Sequence, residues 1–484
     1  MKRLVIVIFI IFGAFLTFSL YRTFAYDTSV VEETPSTTDL EYTFKIGNSS
    51  IKQITVDSGE TKYFDVVLGN PNPAKISYGV YYEMVSPSIK PDGFSIEYTS
   101  KSTGESTGKV DKEGNITLNI EVTNTSSSAV TVKIGSVAGY VNGGDLILGS
   151  GQVLIPEKKI PATSIIEALD DGTTGDDGSG VYKVEHDAIA SGSSATGSDI
   201  KATTDYRYYG ASPNNYICLD MEGGSTCPDK HLYRIMGSIY EELEDANRLK
   251  VIKATPLTNG ITSEFSWDYT SSGSYSNVWA TITSGNYSNS LSSGSQLMQL
   301  LNSGAWWKGT SGSYYNGSKK STTVNFTNYK LSDKAKSYIT ISRYYLGGFD
   351  ATSYSPSEIY KFERGNKRLN SDRPLYWDGI VGLMYSSDYG YASGIDCAGY
   401  TTLNSFEKCY LNNWIFKSLL RLWTINPTTD NYDKVWYVDK SGNVYYSDYT
   451  VGYPNYVFPV FYLTSDVSIT SGTGTSTDPY LVTK

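Results

Sequence analysis

The chain is 484 residues long, more than one hydrophobic core usually serves, so two to four units are expected. Apolar residues make up 39% and charged residues 19%, enough for cores to form, while 45 glycines and 42 tyrosines favour short strands joined by polar turns. A net charge of −10 with no basic stripe argues against nucleic acid as a partner and serves solubility.

At the N-terminus, Lys2 and Arg3 precede an uncharged run from Leu4 to Leu20, and Asp27, Glu32 and Glu33 follow. Basic before and acidic after keeps the N-terminus cytoplasmic and exports the rest. As a helix the run spans about 26 Å, slightly short of a roughly 30 Å hydrocarbon core. Thr23-Phe24-Ala25 resembles a small-x-Ala cleavage site. Residues 1–26 therefore read as a signal peptide or as a membrane anchor through residues 4–20. Either reading puts the remainder on the extracellular face of the membrane or secretes it. Residues 27–39 are a polar spacer.

From 40 to 155 the apolar residues alternate. Tyr42, Phe44 and Ile46 do so in EYTFKI; Ile116, Leu118, Ile120 and Val122 in NITLNIEV; Val130, Val132 and Ile134 in AVTVKI. Seven or eight strands separated by Gly, Asn, Pro and Ser turns predict an antiparallel β-sandwich. The segment resembles bacterial immunoglobulin-like domains, whose usual role is a spacer or adhesion module. Residues 156–203 read as a linker with a short helix (IPATSIIEAL) and a strand (VYKVEHDAI). Its run DDGTTGDDG lacks the ligand alternation and closing Glu of an EF-hand, so calcium has no motif behind it.

Residues 204–484 form one long α+β unit in this reading. LYRIMGSIYEELEDANRLKVIKATPL predicts two strands around an acidic turn. SGSQLMQLLNSG predicts a helix with Leu297, Leu300 and Leu301 on one face, and NNWIFKSLLRLWTI (412–425) a second. DKVWYVDKSGNVYYSDY predicts a hairpin turning at Lys440–Asn443, and Pro459 places the terminal strand at an edge or bulge. Cys218 and Cys227 are nine positions apart and Cys397 and Cys409 twelve, so two local disulfides are the simplest pairing in an exported chain. A zinc site at Cys218, Cys227 and His231 lacks a fourth ligand.

YRYYGASPNNYIC, LYRIMG, IKATPL, GLMYSSDYGYAS, the NNWIF–LWTI–P series, the VWYV–G–V hairpin and VFPVFYLTSDVSITSGTGTSTDPYLV, in this order, resemble an uncharacterised extracellular domain family of Gram-positive gut bacteria. That domain is often carried behind an immunoglobulin-like module and a signal or anchor helix, and the resemblance covers roughly residues 200–484. The stretch from Trp423-Thr424 to Pro459-Val460 is also similar to the closing strands of C-type-lectin-like and formylglycine-generating-enzyme-like folds, with Phe458 where a basic residue is usual. The fold implied is mainly β and multi-domain: membrane helix or signal, immunoglobulin-like sandwich, then a lectin-like α+β domain. The resemblance brings no catalytic residues. The calcium–sugar motifs of lectins are absent, and Cys397 and Cys409 are better read as a disulfide than as a reactive pair.

Two histidines, His186 and His231, are all the chain offers a nucleophilic triad. Neither neighbours a nucleophile motif, and both are expected at the surface. Asp220, Asp378 and Asp388 are conceivable members of a carboxylate pair, but fifty acidic residues make some pairing inevitable. In VGLMYSSDYGYASGIDC, alternate strand faces are expected up to Tyr385, then a turn in which Asp388 accepts local backbone N–H groups. All eight tryptophans lie beyond residue 204. Trp377, Trp414, Trp423 and Trp436 are expected in the core. Trp306-Trp307, with Tyr314 in the polar loop after them, are the candidate ligand surface, because adjacent tryptophans on a strand cannot both point inward. The expected function is binding of surface carbohydrate or protein. The alternatives are a hydrolase or oxidase acting on cell-wall material and a structural surface-layer component.

Overall fold

The computed structural model describes residues 43–46, 53–100, 108–140, 146, 148–170, 172, 179–281, 294–317, 321–351, 353–371, 373–394, 402, 409–446 and 450–484. Residues 4–20, the spacer 27–39, Cys397 and most of the Asp-Gly run lie outside them. Among the described residues no helix is long and apolar enough to cross a membrane. The protein is mainly β, with 42% strand and 11% helix, and divides into two compact units, residues 1–159 and 160–484.

The first unit closes two antiparallel sheets on one core. One sheet orders Thr43–Ile46, Glu60–Gly69, Asn115–Asn124 and Phe94–Ser100; the other orders Gln53–Val56, Val130–Tyr140, Ile76–Ser86 and Lys109–Val110, with Gln152–Leu154 added beside Ile76–Ser86. The alternation read in the sequence is the mechanism. Along Asn115–Asn124 each of Ile116, Leu118, Ile120 and Val122 is buried and the residues between them are partly exposed. Facing them, Val80, Val130, Val132 and Ile134 supply the other half of the core. At the end of the strand, buried Asn124 donates from Nδ2 to the carbonyls of Val56 and Ser128, so its polar group is satisfied where the two sheets meet.

In the second unit a large, mostly antiparallel sheet runs in the order Ser179–His186, Thr203–Gly210, Leu232–Glu241, Tyr216–Cys218, Tyr480–Thr483 and Ser468–Ser471. Ala246–Lys253 pairs with Leu232–Glu241 across the acidic turn and with Val460–Tyr462 on its other side. A smaller sheet orders Glu264–Ser266, Pro454–Tyr456, Leu422–Pro427, Val435–Val438 and Val444–Tyr445. The expected hairpin is its edge, turning through Gly442 at φ +86°, where a side chain would be strained. The segment 156–203, read as a linker, supplies the helix Ala162–Glu167 and the strand Ser179–His186, which pairs with Thr203–Gly210 over eight residues, so from residue 160 onward it is built into this unit.

Tryptophan fills the second core. Trp377, Trp414, Trp423 and Trp436 are buried as expected. The indole N–H groups of Trp267, Trp414, Trp423 and Trp436 donate to the carbonyls of Thr424, Tyr208, Phe265 and Phe349. The helix Gln296–Asn302 forms as expected, capped by Ser295.

Two further expectations fail. Residues 412–425 are not a helix: a short turn, Tyr410–Asn412, leads to the strand Leu422–Pro427, all six of whose residues are buried. A run covered on both faces loses its alternation, so the apolar pattern does not separate strand from helix. The stretch 381–385 has no exposed face, and the turn expected after it is a buried helical one, Ser386–Tyr391. Both histidines are buried. Ile120→Ala is expected to cost about 2–5 kcal/mol of stability in urea denaturation, because Ile120 is wholly enclosed between the two sheets.

Candidate functional site

Asp388 sits at the centre of the second unit. Its helical turn follows the buried run Val381–Tyr385, so the carboxylate enters the core instead of facing water. Oδ2 accepts the backbone N–H of Tyr385 at 2.9 Å, the local bond expected from the sequence. Lys250 Nζ donates to Oδ2 at 2.6 Å and Arg207 Nη1 to Oδ1 at 2.9 Å. Arg207 also grips Asp205 through Nη2 at 2.7 Å and Nε at 3.0 Å, and Asp205 reaches His186 Nε2 at 2.9 Å. Burial alone would raise both carboxyl pKa values, but Lys250 and Arg207 around Asp388, and Arg207 and His186 beside Asp205, hold them below the usual range. Buried ions survive only when paired and hydrogen-bonded in this way.

A second pair lies alongside. Glu363 Oε2 accepts Ser387 Oγ at 2.6 Å and Oε1 accepts the Ser387 N–H at 3.1 Å, while Arg364 Nη1 stands 3.5 Å from Oε2. Asn426 Oδ1 takes the Ser386 N–H at 2.7 Å, so side chains satisfy donors that open the helical turn. Burial pushes the Glu363 carboxyl up to about 7. Arg364 lies 3.5 Å from the Tyr360 ring, which also stacks on His186 at 3.6 Å. Burial lowers the His186 pKa despite the pull of Asp205, so the ring is neutral near pH 7.

Arg207, Lys250, Glu363 and Arg364 escaped the sequence reading, though a signal was present. In TTDYRYYG, Asp205 and Arg207 share a strand parity, and both point into the core. A charge at an inward position needs a buried partner. A recess beside this cluster, lined by His186, Tyr240, Glu242, Arg343, Tyr360 and Arg364 among others, admits no more than a water-sized group.

The other candidates are placed as follows. Asp378 is clamped by Arg343 through bonds of 2.8 and 3.0 Å. Asp220 accepts Ser332 Oγ at 2.6 Å and lies with Glu222 and His231 in the one trio among the described residues whose ligand atoms fall within 4.8 Å of one another. That trio could face a divalent ion, but Lys230 already sits 2.8 Å from Glu222 and Lys334 3.9 Å from Asp220. Cys218 and Cys227 are bonded to each other, which removes both sulfurs from any metal reading. Cys409 is disulfide-bonded as well, and its expected partner Cys397 lies outside the described residues.

Trp306, Trp307 and Tyr314 do not line an open groove. Trp306 and Tyr314 are each only 2% exposed, and Tyr314 donates its hydroxyl to the Ser266 carbonyl. Residues 305–308 form a short helix, so successive tryptophans point about 100° apart, one into the core and one along its flank. Trp307 is partly buried beneath Lys336, whose Nζ lies 5.1 Å from the ring centre and donates to the Trp307 carbonyl.

The open polar groove lies elsewhere, on the edge hairpin. Arg421, Tyr437, Asp439, Lys440, Ser441, Asn443 and Tyr445 line a cavity of about 390 Å³, within the range of small-ligand sites. Asp439 Oδ1 accepts the N–H groups of Ser441 and Asn443 at 2.8 and 2.9 Å, which fixes the turn. Tyr445 packs edge-on against Tyr437 at 6.5 Å and remains partly exposed.

Compared with models of protein families, with curated proteins and with solved structures, the chain matches none.

Asp388→Asn removes the charge between Lys250 and Arg207 and is expected to cost about 3–5 kcal/mol, read from the shift of the denaturation midpoint. For Glu363 the folded pKa exceeds the ordinary value of 4.5, so the native state binds more protons and its contribution to stability declines as pH rises from about 4.5 to about 7. Thermal melts between pH 5 and pH 8 should show Glu363→Gln losing less stability over that interval than the parent.

Proposed function

We propose that the chain is an exported binding protein whose second unit takes a hydroxyl-rich carbohydrate at the hairpin groove. The reading is that of a lectin-like domain held off the cell by an immunoglobulin-like stalk. The observation that carries it is the groove itself: an open cavity of about 390 Å³ with a partly exposed tyrosine ring and surrounding Arg, Asp, Lys, Ser and Asn groups. A sugar presents C–H faces to aromatic rings and hydroxyls to polar rims, and this lining offers both.

The fate of the carboxylates favours binding over hydrolysis. A general acid and base must face the scissile bond. Asp388 and Asp205 are instead saturated by internal cations, and Asp378 is held by Arg343. Export is supported by the charge-flanked apolar leader and by the Cys218–Cys227 bond, which an oxidising exterior maintains.

The test uses residues 27–484 on a glycan array and in pull-downs with cell-wall polymers. Saturable binding to a glycan is expected, weakened about tenfold or more by Tyr445→Ala. Retention of no polymer, or binding indifferent to Tyr445→Ala, would remove the groove as the site.

A further inference from the structure

We infer, resting on the carbohydrate reading of the hairpin groove, that its ligand is an acidic glycan, one whose sugars carry a carboxylate or a phosphate group. The charges that line the cavity are two cations, Arg421 and Lys440, against one carboxylate, Asp439. The described lining is thus positive by one charge, in a chain whose net charge is −10. A positive lining on an acidic protein draws anions to that place while the remaining surface repels them.

The one carboxylate is already engaged. Asp439 Oδ1 accepts the N–H groups of Ser441 and Asn443 at 2.8 and 2.9 Å, and the Asp439 N–H donates to the Asn443 carbonyl at 2.8 Å. Those bonds make it a turn former, held at the hairpin tip. Lys440, next to it, is exposed, and no carboxylate among the described residues pairs with it. Strand register fixes where the two cations stand. Leu422 pairs with Val438, and Val438 with Val444, so Arg421 lies at the base of the hairpin and Lys440 at its turn. The Arg421 carbonyl accepts the Tyr456 N–H at 2.9 Å, which pins that wall to the neighbouring strand. Both charges are therefore carried by backbone that the sheet holds in place.

Another open cavity, of about 430 Å³, shows the contrast. Lys361 and Lys367 line it beside Ile189 and Phe362. There Lys361 pairs with Asp187 at 2.9 Å, and Lys367 pairs with Asp350. Its positive charge is met within the protein. At the hairpin the charge of Lys440 is left for a ligand.

The ligand chemistry follows from this lining. The planar fork of an arginine matches two oxygens of a carboxylate or phosphate, and a lysine adds a point charge. Ser441 and Asn443 suit sugar hydroxyls, and the partly exposed Tyr445 ring suits a C–H face. At about 390 Å³ the cavity is of ligand size, so a sugar ring enters it together with its anionic group. A neutral sugar would fill the groove and engage neither cation.

Binding of the full chain, in mild detergent, is measured against oligogalacturonate, a phosphodiester-linked hexose oligomer and a neutral maltooligosaccharide, each at low and high salt. One of the acidic oligomers is expected to bind at least about tenfold more tightly than the neutral one, with the preference shrinking at high salt. Lys440→Gln and Arg421→Gln should each weaken that binding about tenfold, and Lys440→Arg, which keeps the charge, should recover most of it. Lys440 is exposed at a turn, so Lys440→Gln should melt with the parent, and its loss of binding is then not a loss of structure. Preference for oligogalacturonate marks a carboxylate as the recognised group; preference for the phosphodiester oligomer marks a phosphate. Equal binding of acidic and neutral oligomers that still depends on Tyr445 would overturn the inference and leave the carbohydrate reading standing. Acidic binding indifferent to both Lys440→Gln and Arg421→Gln would overturn it too, and binding of no oligomer would remove both.

Discussion

The Asp388 carboxylate is the point on which the second unit turns. It comes from a helical turn following residue 385, and its two cations come from different strands of the large sheet, Arg207 and Lys250. Three buried cations, Arg207, Lys250 and Arg364, stand against three carboxylates, Asp205, Asp388 and Glu363. Such a set stabilises only in complete form, because any member left alone is a charge in a medium that solvates it poorly. The cluster therefore specifies how four segments of the chain must meet, and it does so more strictly than apolar contact, which tolerates sliding.

Aromatic packing completes that constraint. The cations lie over rings: Arg207 on Tyr391, Lys250 on Tyr385 and Arg364 on Tyr360. This accounts for part of the unusual tyrosine content. A tyrosine offers a ring face to a cation and a hydroxyl to a carbonyl or amide, as Tyr385 does in accepting the Tyr345 N–H at 2.6 Å. The ions of this cluster are thus paired and enclosed, whereas the polar groups of the hairpin groove stand open to solvent.

The first unit follows a simpler rule. Its strands alternate, its core is mostly aliphatic with Tyr78, Tyr82, Phe94 and Tyr98 among its members, and its described residues hold no ion cluster comparable to that around Asp388. Its sheets meet through side chains whose parity along each strand is visible in the sequence. The second unit buries both faces of strands such as Leu422–Pro427, and there parity carries no information.

Local pattern determined much of this protein: the sandwich strands, the hairpin at Gly442, the helix at Gln296 and the short-range Cys218–Cys227 bond, each set by residues within a few positions of one another. Tertiary structure alone decided that Asp388 lies in the core, that Trp306 and Tyr314 are packing residues and that His186 and His231 are buried. The physical reason is distance along the chain. Arg207 and Asp388 are 181 residues apart, and Lys250 and Asp388 are 138 apart. No periodicity links residues at such separations; only the closing of the sheet brings them together.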